Sequence, residues 1–342
     1  MFTIREVFPE DLEGLHAVAS HLNTVNLPDD RGILEKLIDH SRKSFNGQLD
    51  VFKREYLFVL LDEDKKQIIG TSMIHAQHGT RRAPHIFFDV MTDERYSETL
   101  DKHFIHKLLR IGYNYNGPTE IGGLVLHPDY RRKTEALGKW LSYVRFLYIG
   151  LHRASFRDEV LSELLPPLQD DGTSLLWEAL GRHFTGMSYQ EADRVSQSNK
   201  EFIRALFPAD SIYISLLPYS VQKLIGQVGP DTKGVEKMLR RIGFEYADRI
   251  DPFDGGPHFI AKTDDITLVK ASKSARVVAL PGGEDGPDTS LAGLISIERD
   301  RAPHFSACGS RFRLEGTDVG LPAATMKQLG LQPGDNVGVL PF

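Results

Sequence analysis

The sequence predicts an α/β (or α+β) fold, and three features carry this prediction. Strand and helix signals alternate from residue 1 to about residue 262, and the apolar runs within them are short. From Asp265 onward, the pattern changes to short strand candidates separated by turns rich in Gly and Pro. We therefore expect a mixed sheet flanked by helices over residues 1–262 and a small β-rich C-terminal subdomain over residues 263–342.

The first elements follow from apolar periodicity and turn chemistry. Residues 1–5 have the pattern of a strand, and the periodic apolar residues near 10–22 predict a helix. Two apolar runs, Tyr56–Leu61 and Gln67–His75, flank a charged turn at residues 62–66. Two such runs around a short charged turn predict a β-hairpin.

A strand followed by a basic loop and a helix forms the most informative part of the chain. The strand covers Ile121–Leu126, and the helix follows from Ala136 onward. Free backbone amides and the positive end of a helix dipole attract phosphate, so this order predicts a site for a phosphate-bearing cofactor. The alternative is an amphipathic helix after an ordinary basic turn. The loop offers three cationic side chains, Arg131, Arg132 and Lys133.

The C-terminal residues carry several strand candidates and no dense group of reactive side chains. We therefore expect this region to serve in packing or subunit contact. The candidates are Ile266–Lys270, Ala275–Leu280, Gly293–Ile297, Phe312–Leu314 and a final turn and strand within residues 331–340.

Composition excludes several function classes. The chain has 342 residues, 41% of them hydrophobic, which is typical of a globular protein. Its apolar runs are too short to cross a bilayer, and its N-terminus lacks the pattern of a signal peptide. A net charge of −6 argues against general nucleic-acid binding, and a single cysteine, Cys308, fits a reducing cytoplasm. No group of His, Cys and Asp has metal-ligand spacing, so we expect no metal.

Two segments resemble the GCN5-related N-acyltransferases. Lys133-Thr134-Glu135-Ala136-Leu137-Gly138 is similar to the Arg/Gln-x-x-Gly-x-Gly/Ala signature, with Lys for Arg and Ala for the first Gly. The segment Val235–Phe244 ends a helix at a Gly and begins a strand, as the late Leu-Gly-Phe element of that family does. The resemblance implies that the signature turn holds the pyrophosphate of an acyl-coenzyme A (acyl-CoA).

Seven blocks of the chain carry a closer resemblance, and they lie at residues 127–131, 145–148, 177–184, 191–193, 199–203, 225–228 and 251–257. They resemble the arginine N-succinyltransferases, and the resemblance covers roughly residues 1–265. It implies succinyl transfer from succinyl-CoA to the α-amine of arginine or ornithine, by direct attack in a ternary complex, at the start of arginine breakdown. One alternative keeps the fold with another amine or acyl-CoA. Another is a non-catalytic acyl-CoA-binding subunit of a homo- or hetero-oligomer.

The resemblance also implies which residues hold the cofactor. In this fold a bulged strand presents backbone amides to the thioester carbonyl, here those of Val125 and Leu126, with Leu126 the preferred contact. Both are apolar, so they are equally expected as core residues of a buried strand. The other implied cofactor ligands surround the basic loop: Arg131, Arg132, Lys133, Ala136, Gly138 and Lys139.

Two candidates for the general base stand out, and a general acid is missing. Glu120 begins the strand of the thioester contact, although it could be a solvated strand end, and His183 lies just after an apolar helix. The family has a proton-donating His where this chain has Gly229, and many N-acyltransferases have a Tyr where it has Leu239. Substitutes would be Tyr189, which we favour, Tyr213, His258 or solvent.

Acidic residues are the expected acceptor ligands, because a guanidinium prefers bidentate carboxylate partners. Asp254 is the first choice, since the adjacent Gly255 lets a ligand approach the backbone, although an Asp-Gly turn explains the same residues. Glu178 and Asp193 lie in the region that the family inserts around the acceptor, and each could equally be a surface charge.

Overall fold

The structure is a computed structural model that describes residues 1–20, 27–81, 83–131, 136–169, 171–196, 199–279 and 291–342. Its strands are β1 (Phe2–Glu6), β2 (Glu55–Asp62), β3 (Gln67–His75), β4 (His85–Ser97), β5 (Lys102–Asn114), β6 (Thr119–Leu126), β7 (Glu159–Glu163), β8 (Ile212–Tyr213), β9 (Glu245–Ile250), β10 (Pro257–Lys262), β11 (Lys273–Ala279), β12 (Leu291–Glu298), β13 (Phe305–Glu315), β14 (Asp318–Leu321) and β15 (Asn336–Pro341).

The described part of the chain contains ten α-helices. They are α1 (Leu12–Ala19), α2 (Arg31–Phe45), α3 (Leu137–Leu151), α4 (Arg182–Thr185), α5 (Tyr189–Ser196), α6 (Glu201–Leu206), α7 (Tyr219–Leu224), α8 (Lys233–Arg241), α9 (Thr267–Ala271) and α10 (Ala323–Leu329), and a π-helical turn, Trp177–Gly181, leads directly into α4. No helix in the described part of the chain is long and apolar enough to span a membrane.

The chain forms two compact units. The first unit contains residues 1–77, 119–158 and 263–342, and the second contains residues 78–118 and 159–262. The boundary predicted after residue 262 coincides with a boundary between these units. The grouping differs from the predicted one, however, because residues 263–342 lie in the same unit as β1. Antiparallel pairing of β1 with β13, at Ile4–Ala307 and Arg5–Ser306, accounts for this.

In the first unit, β1, β2, β3 and β6 form a sheet with helices packed on it. The predicted hairpin of β2 and β3 is confirmed, and β6 pairs with β3. The helix α2 begins at Asp30, whose carboxylate accepts a hydrogen bond from the Ile33 amide at 2.9 Å. Apolar residues of α1 and α2, such as Leu15, Leu34 and Ile38, pack against Leu57 and Val59 of β2.

The C-terminal part of the first unit is β-rich, as predicted. Strands β11 to β15 close on themselves, because β13 pairs with β12 and β14, while β15 pairs with β12 and β11. The pairing of β11 with β14 is parallel, so the sheet is mixed. The strand predicted at Ile266–Lys270 is wrong, because α9 occupies Thr267–Ala271 and buries Leu268 and Val269. An apolar run of this length does not distinguish a short buried helix from a strand.

The second unit is an antiparallel sheet in the order β7-β10-β9-β4-β5-β8, with α4 to α8. Its core is built around Trp177, whose ring stacks on Phe253 at a centroid distance of 5.0 Å. The predicted α/β fold, a mixed sheet flanked by helices, is confirmed.

Candidate active site

A β-bulge interrupts β6 where the thioester contact is predicted. In the pairing with β3, Thr71 faces Val125 and Met73 faces Gly122, so β6 carries one residue more than β3 between these pairs. Gly123 has a φ of +54°, and a Cβ there would lie 2.8 Å from the Met73 side chain. The Thr71 hydroxyl donates to the Gly123 carbonyl at 2.8 Å. The bulge therefore depends on glycine and is held by a side-chain hydrogen bond.

The Leu126 amide points away from β3. The next amide, that of His127, donates to the Ile69 carbonyl of β3 at 2.8 Å. Because successive amides of a strand point to opposite sides, the Leu126 N–H is directed to the other edge of β6. Leu126 is half-buried, whereas Val125 is 2% exposed. Of the two predicted contacts, Leu126 has the amide that is oriented to donate a hydrogen bond to a ligand's carbonyl oxygen.

The start of α3 has a left-handed residue at Ala136, directly before the helix. Ala136 adopts φ 52° and ψ 42°, a left-handed conformation that favours glycine, and its carbonyl accepts from the amides of Lys139 and Trp140. A Cβ at Gly138 would come no closer than 3.7 Å to Leu126. The first amides of α3, those of Leu137 and Gly138, precede the first helical bonds and suit an anion.

The predicted cationic ligands near this turn have different surroundings. Arg131 is exposed, and its Nε donates to the Leu126 carbonyl at 3.1 Å. The Lys139 ammonium lies 4.2 Å from the ring centroid of Phe342. Arg132 and Lys133 lie outside the described residues. One predicted cation is thus positioned directly at the end of β6.

Glu120 is buried in the first unit beside two other ionisable groups. It is 2% exposed and stands opposite His75 in the pairing of β6 with β3. His75 Nδ1 lies 3.4 Å from a carboxylate oxygen of Glu55. The charge of His75 lowers the pKa of Glu55 against the opposing effect of burial, and Glu120 raises it. The prediction of a solvated strand end is wrong for Glu120, because its side chain is buried.

Two buried histidines of the second unit share one carboxylate. Glu163 Oε1 lies 3.2 Å from His85 Nε2 and 3.3 Å from His258 Nε2. The two imidazole rings stack at a centroid distance of 5.3 Å, and both histidines are almost fully buried, whereas Glu163 is 28% exposed. The carboxylate therefore offers a proton acceptor that solvent or a ligand can reach, with imidazoles behind it.

The loop between β9 and β10 places two more carboxyls beside Glu163. Asp251 accepts hydrogen bonds from the amides of Phe253 and Asp254 at 2.7 and 3.2 Å, and Asp254 accepts from Gly256 at 2.7 Å. Burial and the charge of Glu163 raise the pKa of Asp251 to about 7. Burial and the charge of Asp251 raise the pKa of Asp254 well above its ordinary range. A single cation bound beside both carboxyls would lower both pKa values.

The turn that holds these carboxyls needs glycine. Gly255 has a φ of +83°, and a Cβ on Gly256 would lie 2.3 Å from the Leu164 carbonyl. The turn is closed by hydrogen bonds between the backbones of Asp251 and Gly256 at 2.9 Å, and from Gly255 to Asp251 at 2.9 Å. The two glycines thus set the positions of Asp251 and Asp254.

Three residues predicted separately come together at this group. Tyr189 lies where burial, followed by the charges of Asp254, Asp193 and Asp251, raises the pKa of its phenol. Burial raises the pKa of Asp193 as well, and Lys200 opposes this increase. We call Glu163, Asp193, Asp251 and Asp254 the acidic cluster. Its charges are concentrated in a poorly solvated place, which is the arrangement that a cationic ligand stabilises.

Comparisons with known proteins identify the family. The model of the arginine N-succinyltransferase beta subunit family matches residues 2–268. This chain belongs to the arginine N-succinyltransferase family. An arginine N-succinyltransferase from Yersinia pestis is 30% identical, with 99% of this chain and 97% of that protein aligned. An arginine N-succinyltransferase subunit beta from Pseudomonas aeruginosa is 32% identical, covering 99% and 98%.

A solved structure agrees with this assignment. The arginine/ornithine succinyltransferase subunit AI from Pseudomonas aeruginosa superposes with a TM-score of 0.84 at 26% identity, covering 100% of this chain and 98% of that one. The predicted family is confirmed, and so is the predicted enzyme class of an acyltransferase.

Gly229 stands where the arginine N-succinyltransferase pattern has a histidine, and the backbone around it leaves no space for a side chain. A Cβ on Gly229 would lie 2.7 Å from the Pro166 carbonyl oxygen, and the Gly229 amide donates to the Leu165 carbonyl at 2.8 Å. A histidine would therefore require the chain at residues 165–166 to move. Leu239, at the other donor position, is 1% exposed in α8. Neither position can supply a proton in this member of the family.

The remaining candidates have other partners or lie at the surface. Glu178 accepts a hydrogen bond from Arg182 at 2.7 Å, one helical turn away. His183 is exposed on α4. The Tyr213 hydroxyl donates to Asp93 at 3.0 Å. These contacts account for Glu178 and Tyr213 without a ligand, and their functional roles stay predictions.

Sequence reasoning missed His85 and Glu163 and gave Asp251 no role. His85, Glu163 and His258 lie on β4, β7 and β10, far apart in sequence, so no spacing rule links them. The sequence signal for Glu163 is weak, because Glu163 is only the last residue of a short strand. Strand pairing places His258 opposite Glu163, and His85 approaches the same carboxylate from β4.

Proposed function

We propose that this chain transfers a succinyl group from succinyl-CoA to the α-amine of arginine, with ornithine as a second acceptor. The acidic cluster is the observation that supports this proposal most. The raised pKa values of Asp251 and Asp254 indicate that the negative charges of these carboxyls are poorly compensated. An acceptor with an ammonium and a guanidinium supplies the missing cations. The family assignment supports the same acceptor.

Within this proposal, Asp254 and Asp193 bind the cationic acceptor and Gly255 gives it room. Asp254 lies in a glycine turn that keeps its carboxylate fixed by the Gly256 amide. Tyr189 contributes a neutral hydroxyl, since the surrounding carboxylates oppose its ionisation. Arginine can engage two carboxylates at once through its planar fork, whereas lysine presents a point charge.

Glu163 is the proposed general base. The amine must lose its ammonium proton before its lone pair attacks the thioester carbon, and Glu163 is the most exposed member of the group with His85 and His258. The nitrogen–carbon bond then forms, the nitrogen releases its second proton to solvent, the carbon–sulfur bond breaks, and the coenzyme A thiolate takes a proton. His258, at 3.3 Å from Glu163, is the proposed donor in place of the family histidine.

The first unit is the proposed acyl-CoA site. The Leu126 amide would donate to the thioester oxygen as negative charge develops on it, which is the role of an oxyanion hole. Val125 shapes the strand, while the amide of Gly138 and the turn at Ala136 meet the pyrophosphate. Arg131 is placed to contribute charge, and Arg132, Lys133 and Lys139 remain predicted ligands.

The test is coenzyme A release by the purified chain, with succinyl- and acetyl-CoA against arginine, ornithine, lysine and no acceptor. We expect release that depends on succinyl-CoA and on arginine or ornithine. Glu163→Gln should lower kcat by about a hundredfold or more, as loss of a general base does. Glu159→Gln, on the exposed end of the same strand, is the matched control and should retain activity.

Two outcomes would redirect the proposal. If Glu120→Gln abolishes turnover while Glu163→Gln does not, the base is Glu120 of the first unit. The atoms of His78, His85 and Glu163, and those of Glu163, Asp251 and His258, lie within 4.8 Å of one another and could hold a metal ion. Loss of activity on chelation, restored by a divalent metal, would replace the expectation of a metal-free site.

We also propose an oligomeric protein of the cytoplasm. The name of the Pseudomonas aeruginosa relative contains the word subunit, and Cys308, the chain's one cysteine, is buried and reduced in the structure. Light scattering coupled to size exclusion tests the assembly: a monomer at micromolar concentration would contradict it.

A further inference from the structure

Arg145 is a buried cation in the third turn of α3. It is 2% exposed, and its guanidinium faces β6 rather than solvent. Nε donates to the Ser142 carbonyl at 3.0 Å, and Nη2 donates to the Ser142 hydroxyl at 2.9 Å. Nη1 makes one long contact of 3.4 Å, with the Gly122 carbonyl. All three partners are neutral oxygens.

This environment leaves the charge of Arg145 uncompensated. Among the residues that the structure describes, no carboxylate lies within ion-pair distance of the guanidinium. Burial alone lowers the pKa of Arg145 to about 9. A buried charge without a counter-ion is costly, and proteins normally give such a group a carboxylate or a bound anion.

The donors that remain form a fork. Ser142 occupies the side formed by Nε and Nη2, and the Gly122 carbonyl takes one proton of Nη1. One N–H of Nη1 and one of Nη2 have no acceptor among the described residues. This is the pair that binds both oxygens of a carboxylate.

We propose that Arg145 binds the distal carboxylate of the acyl group, and so selects a dicarboxylic acyl-CoA as the donor. This inference rests on the proposed function, in which the Leu126 amide holds the thioester oxygen. Gly122 and Leu126 lie four residues apart on β6, which is roughly 13 Å along a strand and less across the bulge. A four-carbon diacid with a hydrogen bond at each end covers roughly 10 to 12 Å.

The other role for Arg145 is structural, because its contact with the Gly122 carbonyl ties α3 to the strand beside the bulge. The two roles differ in their effect on neutral acyl groups. A structural residue supports every acyl-CoA equally. A carboxylate receptor distinguishes succinyl-CoA from butyryl-CoA, which has the same carbon count and a methyl group in place of the carboxylate.

The experiment measures binding and turnover for both donors. Wild-type protein should bind succinyl-CoA at least about thirtyfold more tightly than butyryl-CoA, as expected when a buried charge loses its partner. Arg145→Met should remove this preference while changing butyryl-CoA binding less than about threefold. Arg145→Lys should restore part of it, since lysine keeps the charge and loses the fork. Arg276→Gln, an exposed arginine paired with Asp318, is the control.

The outcomes separate this inference from the proposed function. Equal losses for both donors in Arg145→Met, or no preference in the wild type, would overturn the role of Arg145. The wild-type comparison by calorimetry needs no variant, so the absence of a preference would overturn the role of Arg145 even if Arg145→Met does not fold. Arg145→Lys, which keeps the charge, is then the variant that attributes a preference to this residue. A succinyl-CoA preference without transfer to any amine would support Arg145 and sink the proposed function. Transfer to arginine by Arg145→Met, with the preference for succinyl-CoA intact, would support the proposed function and overturn the role of Arg145.

Discussion

Replacing Asp251 with Asn should change how the stability of the protein depends on pH. The substitution removes a titrating group, but Asn keeps an oxygen that can accept the amide hydrogen bonds of Phe253 and Asp254. The loop between β9 and β10 should therefore keep its shape. The difference between the two proteins then reports the cost of ionising Asp251 in the folded state.

The size of the effect follows from the pKa of Asp251. Burial, together with the charge of Glu163, raises it from 3.8 to about 7. A folded-state pKa above the unfolded one means that the folded state holds its proton more tightly, so stability is lost as pH rises from about 4 to 7. At 1.4 kcal/mol per pKa unit, the loss is about 4 kcal/mol at most.

The assay is urea unfolding of both proteins at several pH values between 4.5 and 8, chosen around the pKa of about 7. The wild type should lose stability relative to Asp251→Asn as pH rises, and the variant should be the more stable protein at pH 8. Asp210→Asn, an exposed residue of the same unit, should run parallel to the wild type. If wild type and Asp251→Asn run parallel as well, the carboxyl is not held in the way that the structure indicates.

Three further predictions concern single positions. Arginine binding should release protons near pH 7, because a bound cation lowers the pKa of Asp251. Calorimetry in buffers of different ionisation enthalpy should show this release, and binding heats that are equal in all buffers would contradict it. Gly229→His should not raise the activity above that of the wild type. It should destabilise the protein by about 1–3 kcal/mol through overpacking, whereas Gly234→His, in open space, should lower the unfolding temperature less. Ala136→Gly should unfold at an equal or higher temperature than the wild type and keep its coenzyme A affinity. Ala136→Val should lose about 1 kcal/mol or more of unfolding free energy. Equal stability of the two variants would argue against the left-handed conformation at this position.

The bulged strand and the start of α3 show how far local sequence reaches. Apolar residues followed by a basic loop and a helix predicted a strand and a helix, and the structure has both. Ala136, directly before the helix, occupies the left-handed conformation that favours glycine. Neighbouring residues determine such features, so they can be inferred from a short segment.

The acidic cluster shows where local reasoning stops. Asp193, Asp254 and Tyr189 were each singled out, but nothing in their spacing indicated that they share one environment. Glu163 and His85 were missed, because a carboxylate at a strand end and a histidine at a strand start have no distinctive pattern. The pairing of separate strands decides which of these charges meet.

The sequence by itself determined the fold class, the hairpin of β2 and β3 and the family, because each depends on periodicity or on contiguous motifs. Tertiary structure decided that residues 263–342 join the unit of β1 and that the backbone at residues 165–166 leaves no space for a side chain at position 229. It also decided that Arg145 is buried with only neutral oxygen partners among the described residues. The physical reason is the same in each case. Burial and charge compensation depend on which distant segments pack together, and a shifted pKa or an uncompensated charge exists only after that packing is complete.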